Sequence, residues 1–151
     1  MPRVLRIINR FNLGGPTYNA AYLTRYMCPE FQTLLIGGMK EESEENSEFI
    51  VRNLGIVPIT IPEMHRSINP LKDIVALRKI CEFIEDYKPD IVHTHASKAG
   101  ALGRRAAYKM KVPVIIHTFH GHVFDAYFSG VKSHLYQHIE RALARKSTKI
   151  I

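Results

Sequence analysis

Apolar positions in this chain come in short β-branched runs, and between the runs they recur at helical spacing. Val4–Asn9 reads as a first strand, closed by Asn12-Leu13-Gly14-Gly15-Pro16-Thr17. A helix is predicted from Tyr18 to Met27, with Ala21, Tyr22, Leu23 and Tyr26 available for one face and Pro29 as its stop. Phe31–Ile36 reads as the second strand, with Gly37-Gly38 as a turn. The polar stretch Lys40–Ser47 reads as an exposed loop. Phe49–Leu54 reads as a short helix, with Gly55 just past its end. Val57–Ile61 is a third strand, placed at a sheet edge by Pro58.

The helix after Pro70 carries the clearest signals. Asn69 can cap it, Pro70 fits its first position, and Asp73 suits the positive end of the dipole. Ile74, Leu77, Cys81 and Ile84 follow at helical spacing, and Pro89 closes it. A fourth strand runs Pro89–His95. Ser97 can cap the next helix, Lys98–Met110, whose small residues would let it lie close to a sheet. Val112–His117 is the fifth strand. A last helix, Val131–Lys146, places Val131, Leu135, Ile139 and Ala142 on one face, and Lys149–Ile151 begins a sixth strand. Strands alternating with helices predict an α/β fold, a doubly wound, mainly parallel Rossmann-like sheet with helices on both faces.

The 151 residues, 46% hydrophobic, suffice for one domain with a real core. No apolar run is long enough to span a bilayer, and the N-terminus lacks the pattern of a signal peptide. The two cysteines, Cys28 and Cys81, read as buried reduced thiols, and the chain as cytoplasmic. The formal charge is +7 and is unevenly spread. Five of the fourteen acidic residues fall together at Glu41, Glu42, Glu44, Glu45 and Glu48. The nine elsewhere, set against 21 Lys and Arg, leave the rest at +12. That balance suits an anionic partner or surface. A nucleic-acid role is set aside, because no recognisable module or basic and aromatic strip is present.

Chemistry concentrates in four places. Gly14-Gly15 lies between a strand and a helix, where backbone N–H groups can approach an anion. It is neither the dinucleotide fingerprint nor a P-loop, so tight turn and phosphate cradle stay open. His93 and His95 share a strand face, and Ser97 and Lys98 fall at a helix N-terminus that could hold an anion. The stretch Val112–Asp125 puts three of the eight histidines, His117, His120 and His122, at the end of one apolar strand. Their spacing fits no known zinc frame. A polar, titratable ligand site centred on His120, with Gly121 beside it and His117 and His122 as supports, is the preferred reading. The last helix is basic, with Lys132, His134, His138, Arg141, Arg145 and Lys146 against Glu140, a pattern that can also rest on an anionic membrane.

The glycine pair, K-P-D-I-V-H-T-H-x-S-K-A-G, V-P-V-I-I-H-T-F-H-G-H-V-F and I-E-R-A-L-A-R-K-S-T-K-I-I together resemble the N-terminal domain of family-4 retaining glycosyltransferases. The resemblance covers nearly the whole chain. It implies the GT-B architecture, two Rossmann-like domains facing across a cleft. It implies sugar transfer from a nucleotide sugar, often a UDP-sugar, with retention and without a metal or other cofactor. It places Gly14 and Gly15 at the donor phosphates and His120 beside the transferring sugar. His95, Ser97, Lys98, Gly121 and His122 are then acceptor-binding or anion-binding candidates. The acceptor would be a saccharide or a lipid-linked saccharide, met at the inner membrane face. The C-terminal domain of such enzymes, which holds most of the nucleotide, is absent from these 151 residues. The expectation is a truncated domain, inactive alone. Two alternatives stand beside it: a non-catalytic acceptor-binding or membrane-binding subunit that pairs with a separate donor domain, and half of a nucleotide-sugar 2-epimerase.

Overall fold

The computed structural model describes residues 1–121 and 131–151. Six parallel strands form one sheet: β1 (Arg3–Ile8), β2 (Gln32–Gly38), β3 (Ile59–Ile61), β4 (Ile91–His95), β5 (Val114–Thr118) and β6 (Lys149–Ile150). Their order across the sheet is β3-β2-β1-β4-β5-β6. The helices are α1 (Gly15–Tyr26), α2 (Glu48–Asn53), α3 (Pro70–Tyr87), α4 (Ser97–Lys109) and α5 (Val131–Ala144). This is the doubly wound, Rossmann-like α/β fold that the alternating pattern predicts. The chain leaves β1 in one direction for β2 and β3, then returns to build β4, β5 and β6 on the other side. Ligands in such sheets bind where the order reverses, outside the carboxyl ends of β1 and β4.

Two apolar layers cover the sheet. Ile8, Leu35, Ala20, Ala21, Ile50 and Val51 form the core under α1 and α2. Leu5, Ile7, Ile36, Ala76, Ile80, Ala99, Ala106 and Ile115 belong to the larger core, under α3 and α4. The small residues of α4 act as predicted. A Cβ on Gly100 would lie 2.4 Å from His117 Cε1, and one on Gly103 would lie 2.5 Å from Thr94 Cγ2. Only glycine lets this helix sit that low on β4 and β5.

Several local expectations are corrected. Gly37 and Gly38 do not turn the chain but continue β2. They are required by crowding: a Cβ on Gly37 would meet the Phe11 ring at 2.7 Å, and one on Gly38 the Asn9 carbonyl at 2.2 Å. The inward face of α1 is Thr17, Ala20, Ala21 and Thr24, not its tyrosines. Buried Arg6 lies beneath it and donates to Thr24 Oγ1 at 3.1 Å, which demands small and polar residues there. Tyr18, Tyr22 and Tyr26 instead form an outer ladder, with centroids 6.0 Å apart at each step. On α3 the buried stripe is Ala76, Ile80 and Ile84, and Ile74 is exposed. On α5, Leu135 and Ile139 are exposed while Leu143 is buried. Glu140 is drawn inward because it accepts from Arg104, a fully buried guanidinium, at 2.6 Å. The acidic loop is also less free than predicted. Glu44 accepts from Arg10 Nε, and the Asn12–Asn46 bridge joins the loop to the end of β1. Cys28 is exposed and Cys81 half-buried, so neither is a buried thiol; both are free.

Candidate active site

The candidate residues lie on loops that follow the carboxyl ends of β1, β4 and β5. Gly14 is the residue before α1, and Gly15 opens the helix. The backbone N–H groups of Thr17 and Tyr18 already turn back to the Gly14 carbonyl. A Cβ on Gly15 would meet nothing within 4 Å. The fold therefore makes no steric demand for glycine at 15, and the space above it is open to a ligand.

After β4 the chain bends sharply through Ala96, at φ +64°, into α4. Ser97 is the first residue of that helix, not its cap. The cap comes from across the sheet: the Ala99 N–H donates to Asn9 Oδ1 at 3.1 Å. Lys98 is not a free cation either. Its Nζ pairs with Asp73 and donates to the Ser67 carbonyl. A cavity of about 550 Å³ opens at this point, with Asn9, Arg66, Ser97, Lys98, Leu135 and Ile139 in its wall. It sits at the switch point, where this fold places ligands. A second hollow, about 500 Å³, lies at the opposite, amino edge beside Lys109 and Lys146 and is remote from these loops.

The histidines gather beside this point. His93, His95 and His117 are buried. His93 Nε2 pairs with Thr118 Oγ1 at 2.8 Å, and His117 Nδ1 pairs with Thr94 Oγ1 at 2.9 Å. The rings of His93 and His95 are 4.2 Å apart. His95 Nδ1 is 2.9 Å from Nε2 of His120, which is exposed on the loop after β5. Burial holds all four below the ordinary histidine value: His93 at about 4, His117 at about 3, His95 at about 2, and His120 in the same direction. Neighbouring positive charge adds to this for the buried three, through Arg6 at His93 and His95 and through Arg104 at His117. The cluster is therefore uncharged near neutrality, a set of neutral imidazoles shared between the carboxyl ends of β4 and β5. Among the described residues no three His, Cys, Asp or Glu side chains gather as a metal-holding group.

The structure thus brings His95 to His120, and Ser97 and Lys98 to the cavity. His117 is a support buried beneath Gly100. Gly121 lies exposed beyond His120, at φ +138°. His122 lies outside the described residues. Asn9 and Arg66 are the site residues that sequence reasoning passed over. A cap reaching across 90 positions leaves no local trace, and Arg66 reads as one more surface cation. Among the described residues no helix is long and apolar enough to cross a membrane.

With this geometry established, comparison with known proteins defines the class. A family model for the glycosyl transferase 4-like domain matches residues 33–151, and the chain belongs to that family. It is 36% identical over 91 residues to an Escherichia coli UDP-Gal:alpha-D-GlcNAc-diphosphoundecaprenol alpha-1,3-galactosyltransferase. That match takes in 60% of this chain and 24% of the relative, so the chain spans about a quarter of the curated relative's length. Among solved structures, Acinetobacter baumannii MurG superposes with a TM-score of 0.67 at 12% identity, over 99% of this chain and 40% of that one. A Methanocaldococcus jannaschii UDP-GlcNAc 2-epimerase, solved with UDP-GlcNAc and UDP, gives 0.67 at 16% identity, over 99% and 45%. At those identities the likeness is one of fold.

Proposed function

We propose that this chain is the N-terminal, acceptor-side domain of a glycosyltransferase of GT-B architecture. The whole enzyme would transfer a sugar from a UDP-sugar to a lipid-linked or saccharide acceptor, with retention, in cell-surface glycan synthesis. The observation that carries this is His120, on the loop after β5 of a glycosyltransferase-family domain, with its Nε2 held by a second, buried histidine. Sugar transfer passes through an oxocarbenium-like state as a diphosphate departs. A neutral imidazole there can hydrogen-bond the sugar without adding positive charge beside a developing cation. The N-terminus of α1 offers the backbone N–H groups of Gly14 and Gly15 and a helix dipole to the departing phosphates. The E. coli relative's donor and acceptor support a UDP-sugar and a lipid diphosphate. Exposed Ile68 in the cavity wall, next to Arg66, suits an acyl chain or an anionic membrane surface, and Leu71 and Ile74 in the first turns of α3 are exposed as well.

The donor domain would be supplied by further chain or by a separate protein, and the 151 residues alone would not turn over. The test is transfer of labelled sugar from UDP-sugars to a polyprenyl-diphosphate saccharide by the domain joined to its donor half. His120→Ala and Gly15→Val should each lower turnover at least 100-fold with the fold intact; near-native rates in both defeat the assignment. The epimerase reading is favoured only by fold likeness. It predicts a changed sugar on UDP with no acceptor present, which the same assay reads. Turnover by the isolated chain would overturn its expected inactivity.

A further inference from the structure

His95 is completely buried and cannot meet a substrate. It meets His120 instead. Its Nδ1 stands 2.9 Å from His120 Nε2, and the two rings stack at 23° with centroids 5.2 Å apart. The other nitrogen of His95, Nε2, is buried with no hydrogen-bond partner. That orphan atom decides which way the histidine pair is wired.

A hydrogen bond between two neutral imidazoles needs one N–H, and there are two ways to supply it. In one, His120 donates from Nε2. His95 must then carry its own proton on Nε2, as a buried N–H with no acceptor. In the other, His95 donates from Nδ1 to a bare Nε2 on His120, and the orphan atom of His95 is a lone pair. Buried N–H groups without acceptors are the rarer and more costly failure. The second arrangement therefore wins.

We infer that His95 is a positioning residue, which locks His120 as the Nδ1–H tautomer and leaves a hydrogen-bond donor as its one free ring nitrogen. His120 then has no lone pair left for a substrate, because its acceptor nitrogen is occupied from behind. It can donate to a sugar hydroxyl or to an oxygen gaining negative charge, but it cannot take a proton as a general base. An added proton would go to Nε2, opposite the His95 N–H, and the two donors would collide. The surrounding groups act in the same sense. Arg6 on β1, His93 on β4 and His117 on β5 lie around His95 and carry or could carry positive charge. The catalytic consequence rests on the transferase reading of His120; the tautomer does not.

The tautomers can be read directly. In ¹⁵N-histidine-labelled protein, long-range proton–nitrogen spectra of the 151-residue chain should show His120 protonated on Nδ1, with Nε2 bare, from pH 7.5 down through pH 6. His95→Asn keeps an N–H donor near the position of Nδ1 and should keep that tautomer. His95→Leu removes the donor. His120 should then pass to the Nε2–H form and titrate nearer its ordinary value. Wild-type His120 protonated on Nε2, or a tautomer unchanged in His95→Leu, overturns the inference. In the complete transferase, His95→Leu should lower kcat about tenfold or more with KM little changed, the mark of an interaction made in the transition state. His95→Asn should restore most of it, and equal losses in the two variants overturn the positioning role. Unchanged turnover in His120→Ala would strike at the transferase reading alone, because the spectra still decide the tautomer.

Discussion

Gly100 and His117 share one space, so a single methyl group at 100 carries a cost. Alanine at 100 would favour the helix by about 1 kcal/mol, but its Cβ would press on a buried ring that is bonded to Thr94 and cannot move aside. Overpacking of this kind costs roughly 1–3 kcal/mol. Gly100→Ala should therefore destabilise the chain by up to about 2 kcal/mol net in urea denaturation, whereas gain of stability would show that β5 yields. The buried histidines make a second prediction. His93, His95 and His117 bind protons more readily in the unfolded chain, near 6.5, than in the fold, at about 4, 2 and 3. The stability gained from keeping them neutral is complete above that ordinary value and is lost as pH falls below it. Each histidine contributes a slope of roughly 1.4 kcal/mol per pH unit. Thermal melts should fall steeply between pH 7 and pH 5, and a flat profile would refute this. His120 stands out in the sequence as a candidate because three histidines crowd one strand end. Its pairing with His95 was not legible there, because the two lie 25 positions apart and meet only once β4 and β5 are in register.

Helices and strands were legible wherever local signals agreed. The start of α3 is the clearest case: the Lys72 N–H donates to Asn69 Oδ1, with Pro70 in the first turn as read. Faces were harder, since the inward side of a helix is set by what the sheet presents to it. On α5 that is a charge: Arg104, fully buried, donates to the Gly100 carbonyl and to Glu140. Removing one partner of such a pair leaves an uncompensated buried charge, which costs about 3–5 kcal/mol. Glu140→Ala should lose stability of that order and loosen α5 from α4, seen as faster amide exchange along α5. A loss under 1 kcal/mol would mean that water reaches Arg104. The same dependence on the partner explains β2. Gly37-Gly38 reads as a turn in sequence, yet the crowding by Phe11 and Asn9 that requires glycine comes from another strand's end.

At the scale of the whole molecule, alternation of strand and helix gave the fold class but not the strand order, which depends on pairings such as Val4 with Ile91. That order put the crevice between β1 and β4, and Asn9 closes part of it by reaching from one to cap the helix that follows the other. It also has a consequence for how the molecule can be taken apart. Everything before the exposed loop at Arg66 and Ser67 builds one half of the sheet, and everything after it builds the other. The larger core is shared, with Leu5, Ile7, Ile36, Ile61 and Met64 from the first half and Ala76, Ile80, Val92 and Ala106 from the second. Cut between Ser67 and Ile68 and mixed, the two fragments should find each other one to one and recover the helical circular dichroism of the intact chain, while neither does so alone. A fragment that folds by itself would show that the seam is only a boundary; fragments that need each other would make it a place where the molecule can be switched on by assembly.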